Sequence, residues 1–271
     1  MNWTVISLGG SLVYPDGCDT EYVNAFTKLI KSKLGSGNFA IVTGGGKLAR
    51  EYQDALRVKK ESELSNDESD IVGIDATREN ARCVRNAFGE IAEPEIFLDP
   101  RTPSLSGKQV LIGGGWKPGH SSDGASVELA RTLGAKKIIN LSNTDYVYTA
   151  DPRTNPEATP IEHMNWKELC ALLPTDWTPG MHAPFDPIAA KMAEELGLEV
   201  IALNGKSLEN LSNYIDGKEF IGTVISDTPT WVKRWESEGF GDFSPDEIID
   251  PESDEGKKIL EESRRRKEEN Q

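Results

Sequence analysis

Three runs of small residues carry the clearest chemistry in this 271-residue chain: Gly9-Gly10-Ser11, Gly44-Gly45-Gly46 and Gly113-Gly114-Gly115. Each follows a short apolar stretch and leads towards a helical pattern. A backbone without Cβ atoms lets a ligand come close and can turn several N–H groups towards one centre. Helix starts that follow add partial positive charge, so the combination suits phosphate. Ligands of open parallel sheets sit beyond the carboxyl ends of the strands, which is where the three runs fall. One run would be ordinary turn chemistry; three at equivalent places predict a phosphate-handling crevice. No GxxxxGK[ST] loop is present, and GxGxxG does not follow the first strand.

Other chemistries find little support. The three histidines, His120, His163 and His182, stand in neither HExxH nor HxH spacing, which argues against a His-rich zinc site. Cys18, Cys83 and Cys170 are far apart and form no CxxC. We read them as three thiols outside any disulfide framework, as suits a reducing compartment. With 30 Lys+Arg against 45 Asp+Glu, the formal charge is -15. So acidic a surface repels a nucleic-acid backbone and an anionic membrane, yet leaves room for a small anion in a local pocket. No apolar run reaches the ~18 residues of a membrane span, and no signal-peptide pattern opens the chain, so a cytoplasmic protein is expected.

The elements that must position these residues alternate. Strands are expected at 3–8, 39–43, 109–112, 137–141, 199–203 and 220–225, with a hairpin around 146–148. Helices are expected at about 20–34 with Thr20 as N-cap, 47–59, 71–88, 123–133, 166–173, 186–196 and 208–214. Residues 61–69 (ESELSNDES) read as a polar loop, and 89–107 as irregular chain around one short strand. This order predicts an α/β fold, a three-layer α/β/α sandwich with a mainly parallel central sheet. After about residue 226 the composition turns to Glu, Lys and Arg around Trp231 and Trp235, which reads as a solvated charged extension or a docking segment.

Taken in order, ISLGGS (6–11), TGGGKLAREY (43–52), DIVGIDATREN (70–80), IGGGWKPGHSSDGASVELA (112–130), LSNTDYVYTADP (141–152), DPIAAK (186–191) and IGTVI (221–225) resemble the amino acid kinase superfamily, and within it the archaeal-type uridylate (UMP) kinases. The resemblance covers residues 1–225 and implies an acceptor lobe over about 1–134 and an ATP lobe over about 135–225, leaving 226–271 as an extension. It further implies phosphoryl transfer from ATP, with Mg2+ carried by the nucleotide, to UMP as acceptor. A homo-oligomer built from dimers, up to a hexamer, follows from the same likeness.

Residue by residue, the resemblance assigns Gly9, Gly10 and Ser11 to the loop facing the transferring group, and Gly44, Gly45 and Gly46 to the acceptor-side loop, with Gly45 and Gly46 also near ATP. Arg50 stands one helical turn beyond Gly46 and could return to the phosphates, or be a surface arginine. Asp70 matches a contact to the ribose hydroxyls, but would serve equally as an N-cap. Gly115, Trp116, Lys117, Pro118, Gly119, His120 and Ser121 match the loop over UMP; Trp116 could stack on uracil or crowd the loop. Asp123 matches the organising carboxylate, with a plain N-cap as its alternative. Lys191 matches the lysine at the ATP phosphates, and Asp123, Lys191 and Gly10 together form the expected catalytic set. Ser142, Asn143, Tyr148 and Asp151 match ATP-lobe positions, although Tyr148 suits a core equally. Ser7 stands where many members carry a lysine, which leaves less positive charge at the centre. A kinase for isopentenyl phosphate or a small acid, and a non-catalytic nucleotide- or oxyanion-binding or storage protein, are the competing readings.

Overall fold

The computed structural model describes residues 2–174 and 183–227. In chain order the elements are β1 (Trp3–Leu8), α1 (Gly10–Val13), α2 (Thr20–Lys33), β2 (Asn38–Thr43), α3 (Gly46–Lys60), α4 (Asn66–Phe88), β3 (Val110–Gly113), α5 (Ser122–Leu133) and β4 (Lys137–Ser142). There follow β5 (Val147–Tyr148), β6 (Pro160–Ile161), β7 (His163–Met164), α6 (Trp166–Leu172), α7 (Pro187–Glu195), β8 (Glu199–Asn204), α8 (Leu208–Ile215) and β9 (Thr223–Ile225). The main sheet has the order β3-β2-β1-β4-β8-β9-β7. Its pairs are parallel except β8 with β9, and β5 and β6 form a separate antiparallel ribbon.

Strand alternation sends successive side chains to opposite faces. Val5, Val42 and Leu111 pack on one face with Leu129, Trp166, Phe185 and Ala190 from the α5–α7 side. Ile6, Leu8, Ile41 and Ile112 pack on the other with Phe26, Ile30, Val84 and Leu211 from α2, α4 and α8. Both faces of the sheet are therefore buried under helices, as the near-continuous apolar strands require. Trp166 anchors one side, its indole N–H donating to Leu198 O at 3.1 Å. The compact unit ends at Asp227, whose carboxylate accepts the Trp166 backbone N–H at 3.1 Å. The charged extension, with Trp231 and Trp235, lies outside the described residues.

Several local expectations change. Asp19, not Thr20, caps α2 by accepting the Tyr22 N–H at 2.9 Å. The stretch expected to be a loop already contains the start of α4. Ser65 accepts the Glu68 N–H at 3.2 Å, and Glu68 accepts the Ser65 N–H at 2.8 Å. That reciprocal pair starts the helix within polar sequence. Between 89 and 107 the chain makes single bridges, Ala92 to Val110 and Phe97 to Gly113, in place of a strand. Cys18 and Cys83 are joined as a disulfide, against the reading of three separate thiols. The turn before α2 lies against the C-terminal third of α4, a proximity that a separation of 65 residues does not reveal.

Candidate active site

A crevice of about 420 Å³ runs along the carboxyl ends of β1, β2, β3 and β4. The three glycine runs meet here because the strands that carry them are neighbours. Gly9, Gly10 and Ser11 line it from the start of α1, Gly44, Gly45 and Gly46 from the start of α3, and Gly115, His120 and Ser121 from the approach to α5. The two leading loops touch backbone to backbone. A Cβ on Gly10 would lie 2.5 Å from the Gly45 carbonyl carbon and from Gly46 N. Gly46 has φ +58, and a Cβ there would lie 2.5 Å from Ser11 N. Both positions need glycine, for space in the first case and for conformation as well in the second.

The inner face of α4 fixes these loops. Asn80 donates from Nδ2 to Gly44 O at 2.8 Å. Thr43 Oγ1 donates to Thr77 O at 2.7 Å, and Thr77 Oγ1 accepts the Gly115 N–H at 2.5 Å. Asp70, buried in the second turn, accepts the Gly119 N–H through Oδ2 at 2.7 Å. Ser65 supplies the cap of this helix, so the N-cap reading of Asp70 is set aside. Burial raises the Asp70 carboxyl above its ordinary range, partly opposed by the Gly119 hydrogen bond. From sequence, Asn80 suits packing or a dimer interface, and Thr77 has no assigned role. The available signal was an apolar helix face interrupted by Asp70, Gly73, Thr77 and Asn80, at spacings that return to one side.

Opposite α4 stands Asp123. Ser121 caps α5, accepting the Gly124 N–H at 3.1 Å, so Asp123 is not the N-cap. Its carboxylate instead accepts Ser7 Oγ–H at 3.1 Å and the Asp186 backbone N–H at 3.2 Å. Ser7 lies on the same face of β1 as Val5, which is the face that α5 covers. Asp186 is buried, caps α7 by accepting the Ala189 N–H at 2.7 Å, and lines the crevice with Asn140. Burial, and then the neighbouring Asp186 charge, push Asp123 from 3.8 up to about 6, while the Ser7 hydrogen bond opposes the rise. The crevice thus has carboxylates at its centre and Arg50 at its rim, where that side chain is exposed.

Other expected residues are placed less centrally. Ser142 and Asn143 line the crevice. Tyr148, half-buried with its ring edge-on to Tyr146, and Asp151, paired with Arg153 at 2.8 Å, are outside the lining. Lys191 is exposed on α7, near enough to lower the Cys170 pKa electrostatically although burial raises that thiol overall, and is not among the lining residues. Trp116, Lys117, Pro118 and Gly119 are outside the lining too. Trp116 is buried beneath Arg101 and Lys117, so its reading as a platform for uracil is not what the geometry offers. No group of three or more His, Cys, Asp or Glu side chains suited to a metal ion occurs among the described residues.

A three-layer α/β/α unit with glycine loops at the ends of three parallel strands defines a phosphate-handling protein. Residues 2–204 match the amino acid kinase family, and the chain belongs to that family. It is 32% identical over 226 residues to the uridylate kinase of Methanobrevibacter smithii, covering 82% of this chain and 98% of that one. It is also 32% identical over 224 residues to the uridylate kinase of Pyrococcus abyssi, with the same coverage of each. The crystal structure of uridylate kinase from Archaeoglobus fulgidus superposes with a TM-score of 0.72 at 31% identity, over 83% of this chain and 100% of that one.

Two predictions follow from the geometry. Gly10→Ala must part the two loops, so turnover should fall at least a hundredfold, whereas Gly35→Ala, with nothing within 4 Å of the new methyl, should leave it unchanged. Steady-state kinetics on both variants checks this. For Asp123, the raised folded-state pKa means that the native protein binds this proton more tightly than the unfolded chain. Stability therefore declines as pH rises from about 4 to about 6, by on the order of 2–3 kcal/mol. In Asp123→Asn that decline should disappear, so melting curves should shift in the variant's favour between pH 4 and pH 7. A constant difference in melting temperature across that range would contradict it.

Proposed function

We propose that the protein transfers the γ-phosphoryl group of ATP to UMP, giving UDP and ADP. The observation that carries this reading is the backbone contact of Gly10 with Gly44–Gly46, which holds two phosphate loops side by side at the ends of adjacent strands. Relatives named uridylate kinase, spanned over 98% of their length, support UMP as the acceptor. They also favour it over isopentenyl phosphate, a small acid or simple storage.

In this reading an oxygen of the UMP phosphate attacks the γ-phosphorus in line. A new P–O bond forms as the bond to the ADP oxygen breaks, and the negative charge passes to ADP. The nucleophile is already an anion, so no side chain need remove a proton; positioning and charge neutralisation are what the protein supplies. N–H groups of Gly10 and Ser11 face the transferring group, and those around Gly44–Gly46, with Arg50, hold the acceptor phosphate. Asp70 and His120 flank the acceptor, while Ser142 and Asn143 are on the ATP side.

Asp123 suits Mg2+ because it is a buried oxygen donor whose pKa is raised with no cation among the causes, and Asp186 stands beside it. Bound with the nucleotide, the ion would neutralise charge on the phosphates. Ser7 and the Asp186 N–H keep the Asp123 carboxylate aimed at the centre. Lys191 lies five residues beyond Asp186 and one helical turn beyond Pro187, and helical side chains lean towards the N-terminus, which here is the crevice end of α7. We assign Tyr148 and Asp151 to the outer ATP lobe, residues 1–225 to the catalytic domain and 226–271 to an extension. We further assign the protein to the cytoplasm as a homo-oligomer, without nucleic-acid or membrane partners. No helix among the described residues is long and apolar enough to cross a membrane.

A coupled assay with Mg-ATP should give UDP from UMP at more than ten times the rate seen with CMP, isopentenyl phosphate or acetylglutamate. ATP binding without turnover of any acceptor would instead support the binding-protein reading. Lys191→Ala should lower kcat about a hundredfold and leave the UMP Kd within a few-fold. An unchanged kcat would remove Lys191 from the reaction.

A further inference from the structure

The loop 115–121 lies at the acceptor side of the crevice and contains exposed Lys117, Pro118 and Gly119. Such a segment is expected to be ordered by its ligand. Here the chain itself supplies contacts that hold it. Trp116 is 8% exposed within it. The Arg101 guanidinium lies 4.5 Å from the ring centroid, and the Lys117 ammonium 4.1 Å. His120, which does line the crevice, meets the indole edge-on at 4.7 Å between centroids. The Arg101 guanidinium is itself held by two hydrogen bonds to the Asp99 carboxylate, at 3.0 and 2.7 Å. The Trp116 carbonyl accepts from Arg78 of α4 at 3.1 Å.

We propose that Trp116 is a positioning residue that holds the 115–121 loop and His120 in the acceptor-binding conformation. The ring joins the Asp99–Arg101 turn to the loop, and the Trp116 carbonyl ties the same stretch to α4 through Arg78. Cation–π contacts with two side chains and the edge-on contact with His120 hold it in one orientation. A loop ordered in advance relieves the acceptor of that ordering cost, so the lock acts on acceptor affinity rather than on the chemical step. Asp70 and Thr77 fix the backbone at Gly119 and Gly115, and Trp116 fixes the stretch between them.

This inference rests on UMP as acceptor for its kinetic part and on the unliganded protein alone for its structural part. In Trp116→Ala, the KM for UMP should rise at least tenfold with kcat within twofold of the parent. Hydrogen exchange at the amides of Lys117, Gly119 and His120 should quicken at least tenfold without nucleotide, and saturating UMP should restore protection. Trp116→Phe, which keeps a ring beneath the cations but loses the N–H, should recover most of both. Arg101→Met serves if Trp116→Ala does not fold, because its side chain is 50% exposed; it should move KM and exchange in the same direction. Unchanged exchange at these amides, or kcat lost with KM unmoved, would overturn the proposal. Faster exchange in a parent protein that makes no UDP would retain the lock and reject UMP as acceptor.

Discussion

The site depends on a contact between two stretches of backbone. Gly10 and Gly46 approach so closely that neither can carry a Cβ, and this nearness brings the loop after β1 against the loop after β2. Adjacent parallel strands place the loops at the same end of the sheet, but do not by themselves press them together. The remaining distance is closed by α4, whose Asn80 and Thr77 take up polar groups of the second and third loops. A helix face that would ordinarily be apolar is polar here because the loops it covers have carbonyl and N–H groups that need partners.

The electrostatics take their form from the same arrangement. Ser7 leaves the centre without the ammonium that many members of the family have there, and two carboxylates remain. Asp123 is kept in place by Ser7 and by the Asp186 backbone, and burial and the Asp186 charge raise its pKa with no offsetting cation among the described residues. The acidic surface, at a net -15, makes the basic and N–H-rich rim the natural landing place for an anionic nucleotide.

Much of this was legible in the residues. The alternation of apolar stretches with helical patterns indicated the layered fold, and glycine runs at strand ends indicated the crevice, because both are local signals with one physical meaning. What escaped depended on contacts distant in sequence or on competition between neighbours. Ser65 starts α4 inside a polar stretch because Glu68 completes the cap, and Ser121 displaces Asp123 from the cap of α5. Trp116 is covered by Arg101, fifteen positions away across β3, a pairing that spacing does not expose. The Cys18–Cys83 disulfide escaped for the same reason.

The most direct measurement is calorimetric binding of adenosine and uridine joined 5′ to 5′ through a polyphosphate chain. If two phosphate loops in contact form one transfer site, each chain should bind one molecule. It should bind more tightly than either ATP or UMP alone, both mononucleotides should compete, and Gly10→Ala should abolish the gain. Affinity no greater than that of ATP, with UMP unable to compete, would contradict the account, since the uridine half would then have no place beside the γ-phosphate.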